Sequence, residues 1–337
     1  MVSVTIVTWN SEQYLAECFA ALSSQDYRDL DVVIVDNASE DGTRALLRQV
    51  ETKWRVIYNE KNVGFAAGQN QAIRASRCNY VLCLNPDVVL SPNFITQLMA
   101  TSGESCFDAG VFCGKLLRWD PATENHKTNV IDSTGIYFTP NMRHLDRGAD
   151  EIDRGQYDRP QYVFGATGAA AFFRRSFIDD VSVEGEFFDE EFFAFREDAD
   201  LAWRAQLMGW KCLYTPKAVA WHVRRVTPER RKDLPLIINW HSAKNRFLMR
   251  GKNASGWLCW RLFLPVASRD LMTFGYAVVR DGRLWSAVTY WWKARDSIRR
   301  KRAIIQARRR VSDRDLLWWF SNTPRAVDAE QTVASSQ

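Results

Sequence analysis

Between residues 2 and 84 the chain alternates four short apolar, β-branched runs (2–8, 31–35, 55–58 and 80–84) with stretches of helical period. No other feature of the sequence narrows the fold as much. A β-branched run bounded by turn residues reads as a buried strand, and a crossover helix between two such runs leaves them parallel. Helices are expected after Ser11 to about residue 23, over 43–51 and over about 69–76. The implied architecture is α/β, a doubly wound and mostly parallel sheet. Its polar residues fall just past the strand ends: Thr8 and Asn10, Asp36 and Asn37, Asn85 and Asp87. Ligands bind at that carboxyl edge in open α/β sheets, so placement alone points to a nucleotide-like site there.

Farther along, residues 120–160 are polar and turn-rich and predict a long insertion with little regular structure. The pattern recovers with a strand at 169–173 and a helix over 198–208, which Gly209 is placed to end in a left-handed cap. A strand at 211–214 follows, then the strand-like AVAWH that ends at His222. Beyond about residue 227 the character changes. Nine of the 14 Trp lie in 221–337, and residues 299–310 hold seven basic and no acidic side chains. The net charge of +5 hides an asymmetry: 21 basic against 31 acidic residues in 1–220, and 24 against 9 in 221–337. That split predicts different partners for the two parts.

The seven Cys include no CxxC pair, which argues against a disulfide framework or zinc site and for a reducing cytosol. The opening MVSVTIVTWN reads as a strand, not as a signal peptide. The most apolar stretch, 257–279, is interrupted by Arg261, Arg269 and Asp270, so no membrane span is expected.

Residues 188–204, FDEEFFAFREDADLAWR, set six carboxylates among five aromatic rings. Burying an unpaired carboxylate costs several kcal/mol, so the segment is either a solvated helix face beside a core or the wall of a cleft. Glu197 and Asp198 suit the first turn of a helix, where carboxylates favour the dipole. Asp200 and Arg204, at i,i+4, suit a surface pair. The other polar motifs also carry two readings each. Asp36 could accept a ribose hydroxyl or base N–H, or simply form an Asx turn. Asn62, Gly64, Gly68 and Asn70 could bring backbone and a helix N-terminus to a ligand, or serve a turn and close helix packing. Asp87, after Pro86, could be a hard oxygen ligand for Mg²⁺ or Mn²⁺, or part of an ordinary proline turn. His222 is a ligand candidate only if Asp87 lies nearby.

Taken in order, VTIVTWNSEQYL, VVIVDNASEDGT, NVGFAAGQNQA, LNPDVVL, GATGAAAFFRR, FDEEFFAFREDADLAWR and AWH resemble the motif series of family 2 glycosyltransferases, inverting enzymes of GT-A fold. The resemblance covers roughly residues 2–225. IDSTGI and DRGADEIDRGQYD make the chain most similar to bacterial rhamnosyltransferase-like members that build surface polysaccharides. The resemblance implies a catalytic domain over 1–225, and the change of character beyond it predicts a helical C-terminal region over 226–337. It implies that Thr8, Asn10, Asp36, Asn37, Asn62, Gly64, Gly68, Asn70 and Asn85 serve a nucleotide-sugar donor. Asp87 and His222 would hold a divalent cation, Mg²⁺ or Mn²⁺, and Asp198 would be the catalytic base. Gly168, Phe193 and Glu197 would lie on the acceptor side, walled by the rings at 192, 193 and 195. Asn85 stands where the family's DxD-type motif has its first acid, which leaves fewer protein charges for a cation. Val223, Arg224 and Arg225 replace the small residues and Ser common in relatives, and either arginine could reach the diphosphate.

The expected activity is transfer of a sugar, rhamnose from dTDP-rhamnose by resemblance, to a lipid-linked or polysaccharide acceptor at the cytoplasmic face of the cell membrane. Trp285, Tyr290, Trp291, Trp292, Trp318 and Trp319 beside Arg clusters suit an anionic membrane surface. A helical subdomain that packs its Trp inward is the alternative, and nucleic acid is the weaker partner. A reading of another class is a noncatalytic nucleotide-sugar-binding scaffold, which would bind donor without turnover. An NAD-type oxidoreductase is disfavoured because no GxGxxG follows the first strand. Oligomeric state is left open.

Overall fold

The computed structural model describes residues 1–103, 108–120, 126–224, 236–279 and 284–321. The first third realises the alternation: β1 (Val2–Thr8), α1 (Glu12–Ser23), β2 (Leu30–Asp36), α2 (Thr43–Arg48), β3 (Arg55–Tyr58), α3 (Phe65–Ala75) and β4 (Tyr80–Leu84). Next come β5 (Val88–Leu90), α4 (Phe94–Gly103), β6 (Ala109–Trp119), β7 (Lys127–Ser133), β8 (Ile136–Phe138), β9 (His144–Asp146), β10 (Gln161–Val163) and β11 (Ala170–Arg174). Helices α5 (Arg175–Val181) and α6 (Glu197–Leu207) precede β12 (Lys211–His222). The C-terminal part is helical: α7 (Leu236–Asn253), α8 (Gly256–Arg261), α9 (Phe263–Val279), α10 (Leu284–Lys293), α11 (Arg295–Ala307) and α12 (Asp313–Ser321).

The main sheet has the order β10-β12-β6-β11-β4-β1-β2-β3. Its parallel half is β4-β1-β2-β3, and β11 enters antiparallel between β4 and β6. That reversal places the start of β11 beside the end of β4, at the polar edge. Strands buried on both faces read as unbroken apolar runs, with side chains alternating between the two sides. Accordingly Leu82 and Leu84 join a core with Leu15, Phe19 and Phe94, while Val81 and Cys83 join another with Phe173 and Trp203. The second core continues into the C-terminal helices through Leu248, Met249, Ile298, Ile305, Leu316 and Phe320. The Phe320 ring lies 4.9 Å from Trp203 and 5.2 Å from Phe138.

Several expectations change. Residues 126–160 hold more regular structure than expected, since β7 pairs with β6 and β8 with β9. Arg147 is buried there, its guanidinium 4.8 Å and 4.9 Å from the ring centroids of Tyr157 and Tyr214, so a polar segment supplies a packed layer. The helix expected at 69–76 begins at Phe65, and Gly64, at φ 88°, immediately precedes it. The expected 211–214 strand and AVAWH form one strand, irregular between Tyr214 and Val219. Gly209 does take the left-handed conformation, at φ 80°. The described cysteines are free thiols, five of the six buried, and Cys106 lies outside the described residues.

The Trp surface also differs from expectation. Trp285, Trp292 and Trp318 are exposed, but Tyr290, Trp291 and Trp319 pack against the core. A larger apolar surface lies on α8 and α9, where Trp260, Phe263, Leu264, Leu271 and Met272 face outward and Leu264 is 77 % exposed. No described helix is long and apolar enough to cross a membrane.

Candidate functional site

At the ends of β1 and β2 the polar residues hold one another. Asp36 is fully buried and accepts hydrogen bonds from Thr8 Oγ1 (3.1 Å), Ser39 Oγ (2.5 Å), Ser39 N (3.2 Å) and Arg44 Nε (2.8 Å). Its turn-forming reading is therefore realised at the polar edge itself. Asn37 donates to Gly64 O (3.0 Å) and accepts from Asn59 Nδ2 (2.8 Å). Asn10, with φ 49°, accepts from Glu40 N, and Asn62 accepts from Gly64 N, each at 2.8 Å. A Cβ on Gly64 would sit 2.6 Å from the Phe193 ring, so both space and its left-handed φ require glycine. Gly68 and Asn70 lie inside α3 and do different work. A Cβ on Gly68 would meet Val7 at 2.9 Å, which is close helix–strand packing. Asn70 donates to Phe188 O (2.7 Å) and Glu190 Oε1 (3.0 Å) and accepts from Phe188 N (2.9 Å). Its amide thus fastens α3 to the acidic segment.

The reversal at β11 brings two further groups to the same edge. Asn85 N donates to Ala169 O (2.8 Å), and the neighbouring Gly168 N donates to Asp198 Oδ2 (3.0 Å). One dipeptide therefore ties the turn after β4 to the first turn of α6. Asp198 also accepts from Ala199 N (2.7 Å), and burial raises its pKa. Glu197, next to it, receives no backbone N–H from another residue, only its own. Burial and then the Asp198 charge push its carboxyl up to about 8, and its Oε2 is buried without a partner among the described residues.

Asp87 lies beside His222, with Oδ1 3.5 Å from Nε2, as the ligand reading of His222 requires. His222 Nδ1 is 2.8 Å from Asp132 Oδ2, and Arg224 joins Asp132 (2.9 Å) to Asp146 (2.7 Å). Arg224 is thus committed to carboxylates and not to an open diphosphate site, while Arg225 lies outside the described residues. Burial alone would lower the His222 pKa, but the Asp132 and Asp87 carboxylates push it up to about 10. Against its own burial, Asp132 is held below the ordinary carboxylate range by His222 and Arg224. Nothing in the sequence marked Asp132 as a partner of a histidine 90 residues away; the β6–β7 and β6–β12 pairings bring them together.

The site's fit to a divalent cation rests on its oxygens. Asn85 Oδ1 is buried without a hydrogen-bond partner among the described residues, and Asp87 Oδ1 has only the long 3.5 Å contact with His222 Nε2; a buried oxygen short of partners is costly unless a ligand satisfies it. Among those residues no three or more His, Cys, Asp or Glu are arranged so that they could by themselves hold a metal ion. Asp87, His222 and the Asn85 oxygen are the groups here that could hold a divalent cation, and ligands from outside the chain would complete its shell.

The acidic–aromatic segment divides. Phe192 is wholly buried under Lys252, 4.5 Å from its ring centroid, and so is no acceptor wall. Phe193 stacks on His241 at 4.9 Å. Asp200 and Arg204 are paired (3.1 Å) but buried, contrary to the expected surface pair, because Arg204 also donates to Val181 O and Phe187 O. Asp189 is buried between Lys252 and Lys301 (2.7 Å from the latter). Arg308 and Arg310 also reach back, to Asp180 O and the Asp180 carboxylate. The acidic and basic parts of the chain are thus partly each other's partners.

Comparison with known proteins bears on the family and the fold. The family profile described as Glycosyl transferase family 2 matches residues 3–182. The chain is 25 % identical over 128 residues to the glycosyltransferase GlyG of Streptococcus pneumoniae, covering 37 % of this chain and 42 % of that protein. It is 25 % identical over 287 residues to the N-acetylglucosaminyl-diphospho-decaprenol L-rhamnosyltransferase of Mycobacterium tuberculosis, covering 77 % of this chain and 86 % of that one. The mannosyltransferase PcManGT of Pyrobaculum calidifontis, solved with GDP-Man and Mn²⁺, superposes with a TM-score of 0.52 at 17 % identity, over 91 % of this chain and 85 % of that chain. That likeness establishes the GT-A fold. With the family profile spanning more than half its length and the edge of the sheet built as described, the chain belongs to glycosyl transferase family 2.

Proposed function

We propose that the protein is an inverting glycosyltransferase in which Asp198 is the general base and Asp87, His222 and Asn85 hold a divalent cation against the donor diphosphate. The observation that carries this reading is the Gly168–Ala169 bridge, which hydrogen-bonds the Asp198 carboxylate on one side and the Asn85 turn on the other. An acceptor hydroxyl has a pKa far above 7, so a placed base must take its proton as the oxygen attacks the anomeric carbon. The bond from that carbon to the diphosphate oxygen breaks in the same displacement, and the configuration inverts. Gly168 N and Ala199 N fix the Asp198 carboxylate, and its remaining lone pairs accept the proton. A bound cation would supply compensation for the negative charge of the departing diphosphate. Asp132 holds His222 by Nδ1 and so presents Nε2 toward Asp87.

Similarity to the mycobacterial enzyme supports a rhamnosyl donor and a lipid-diphosphate-linked sugar as acceptor. The exposed apolar side chains of α8 and α9 suit a protein that meets such an acceptor at an anionic membrane surface. The test is incubation with dTDP-rhamnose, UDP-GlcNAc and GDP-mannose, with and without Mn²⁺ or Mg²⁺, scored by nucleotide release. Asp198→Asn should lose roughly 10²- to 10⁴-fold in turnover with donor affinity retained. Undiminished turnover by that variant would remove Asp198 from the role of base.

A further inference from the structure

Immediately before α6 the chain takes an unusual path. Phe193, Phe195 and Arg196 all have left-handed backbone, at φ 64°, 70° and 70°. Non-glycine residues rarely adopt that region, and three within four positions persist only where the surroundings over-determine them. The surroundings that do so come from α7. Asn245 is completely buried, and its Nδ2 lies within donor distance of Phe192 O (2.9 Å), Ala194 O (2.8 Å) and Phe195 O (2.6 Å). One turn earlier, Ser242 O accepts from Arg196 Nε (2.8 Å), and Lys244 donates to Glu191 O. On its other side the loop meets the donor segment, where Phe193 O accepts from Ala66 N (3.1 Å) and the Phe193 ring abuts Gly64. Two residues past Arg196 stands Asp198.

We infer that Asn245, carried by the helical C-terminal region, is a positioning residue for sugar transfer: it holds the 192–196 loop so that Asp198 and the Gly64–Ala66 segment keep a fixed separation. The inference rests on the proposed role of Asp198. The one Asn245 amide nitrogen gathers the carbonyls of Phe192, Ala194 and Phe195, sharing its two protons among three acceptors. Asn245 Oδ1 is itself buried and unpartnered among those residues, so the contact is organised around donation to the loop. The C-terminal helices on this view complete the catalytic unit.

The experiment compares the full-length wild type, Asn245→Ala and Asn245→Ser, the last keeping one donor. Nucleotide release from the active donor of the panel gives kcat and donor KM per folded molecule, and hydrogen exchange follows the amides of 192–199. Asn245→Ala should lower kcat roughly 10- to 100-fold, as misplacement of a reacting group does. Donor KM should stay within about threefold, loop amides should exchange faster, and Asn245→Ser should fall between. Unchanged kcat per folded molecule in Asn245→Ala overturns the inference, as does a loss accounted for entirely by the unfolded fraction. Should Asn245→Ala fail to fold, Asn245→Ser decides by the same readings. A wild type that turns over no donor defeats the proposed function itself, whereas an active wild type with an unaffected variant defeats only the role of Asn245.

Discussion

Glu197 and Asp198 are neighbours on one helical turn, yet their surroundings separate them. Asp198 receives two backbone N–H groups that stabilise its charge, and Glu197 receives none from a partner residue. With its carboxyl pushed up to about 8, Glu197 keeps its proton at neutral pH. A folded-state pKa above the unfolded one means that the native state binds the extra proton, so stability falls as pH rises from about 4.5 to about 8. Glu197→Gln mimics the protonated form and removes that cost. Thermal melts should show the variant gaining on wild type as pH rises from about 5 to about 8, by several degrees at the upper end. A constant difference across the range would place the Glu197 pKa outside it. The pairing of these residues was legible from the ED pattern. Their division of labour was not, because it depends on Gly168, 30 residues away in the chain.

At the scale of elements, the acidic segment and helices α7 and α11 form a buried ionic joint. Lys301 Nζ lies 2.7 Å from Asp189, 3.3 Å from Glu186 and 3.4 Å from Glu191, and Lys252 bridges Asp189 and Asp200. Burial favours the neutral Asp189 carboxyl, but the two lysines hold it well below the usual range. A depressed pKa contributes stability above the unfolded value of about 4, and this is lost as pH falls through the folded value. Lys301→Met leaves the buried carboxylates undercompensated, and breaking such a pair costs about 3–5 kcal/mol. Urea melts should show that loss at neutral pH, narrowing below about pH 4 as the carboxylates protonate. Equal stability of variant and wild type at neutral pH would mean that the joint contributes nothing net. Six clustered carboxylates were visible in the sequence, but the lysines that pair with Asp189, Glu191 and Asp200 come from more than 50 residues downstream.

At the scale of the molecule, the C-terminal helices present two different sides. Inward they extend the sheet's core through residues such as Met249, Ile298 and Phe320. Outward, α8 and α9 expose Trp260, Phe263, Leu264, Leu271 and Met272. Between residues 254 and 279 the one carboxylate is Asp270, which is already paired with Arg246 and Arg250. An apolar face with basic and no uncompensated acidic groups fits an anionic bilayer surface. The protein should float with vesicles containing phosphatidylglycerol and much less with phosphatidylcholine alone, the difference shrinking with salt. Leu264→Asp with Leu271→Asp should abolish flotation without lowering the melting temperature, since both side chains are exposed. Persistent flotation of that double variant would exclude the α8–α9 face.

The sequence by itself determined the parallel strands and the carboxyl edge where they end. Strand identity is written in local β-branched runs, and the polar residues that follow them need no distant partner to be recognised. It also supplied the motif order by which the family was named. The tertiary structure decided what each carboxylate does. Charge and burial are properties of neighbours in space, so the pairing of Asp189 with Lys301, of Asp132 with His222 and of Asp198 with Gly168 is set by strand reversal and helix packing that no local pattern encodes. The same packing turned Asp200 and Arg204 from an expected surface pair into part of the core.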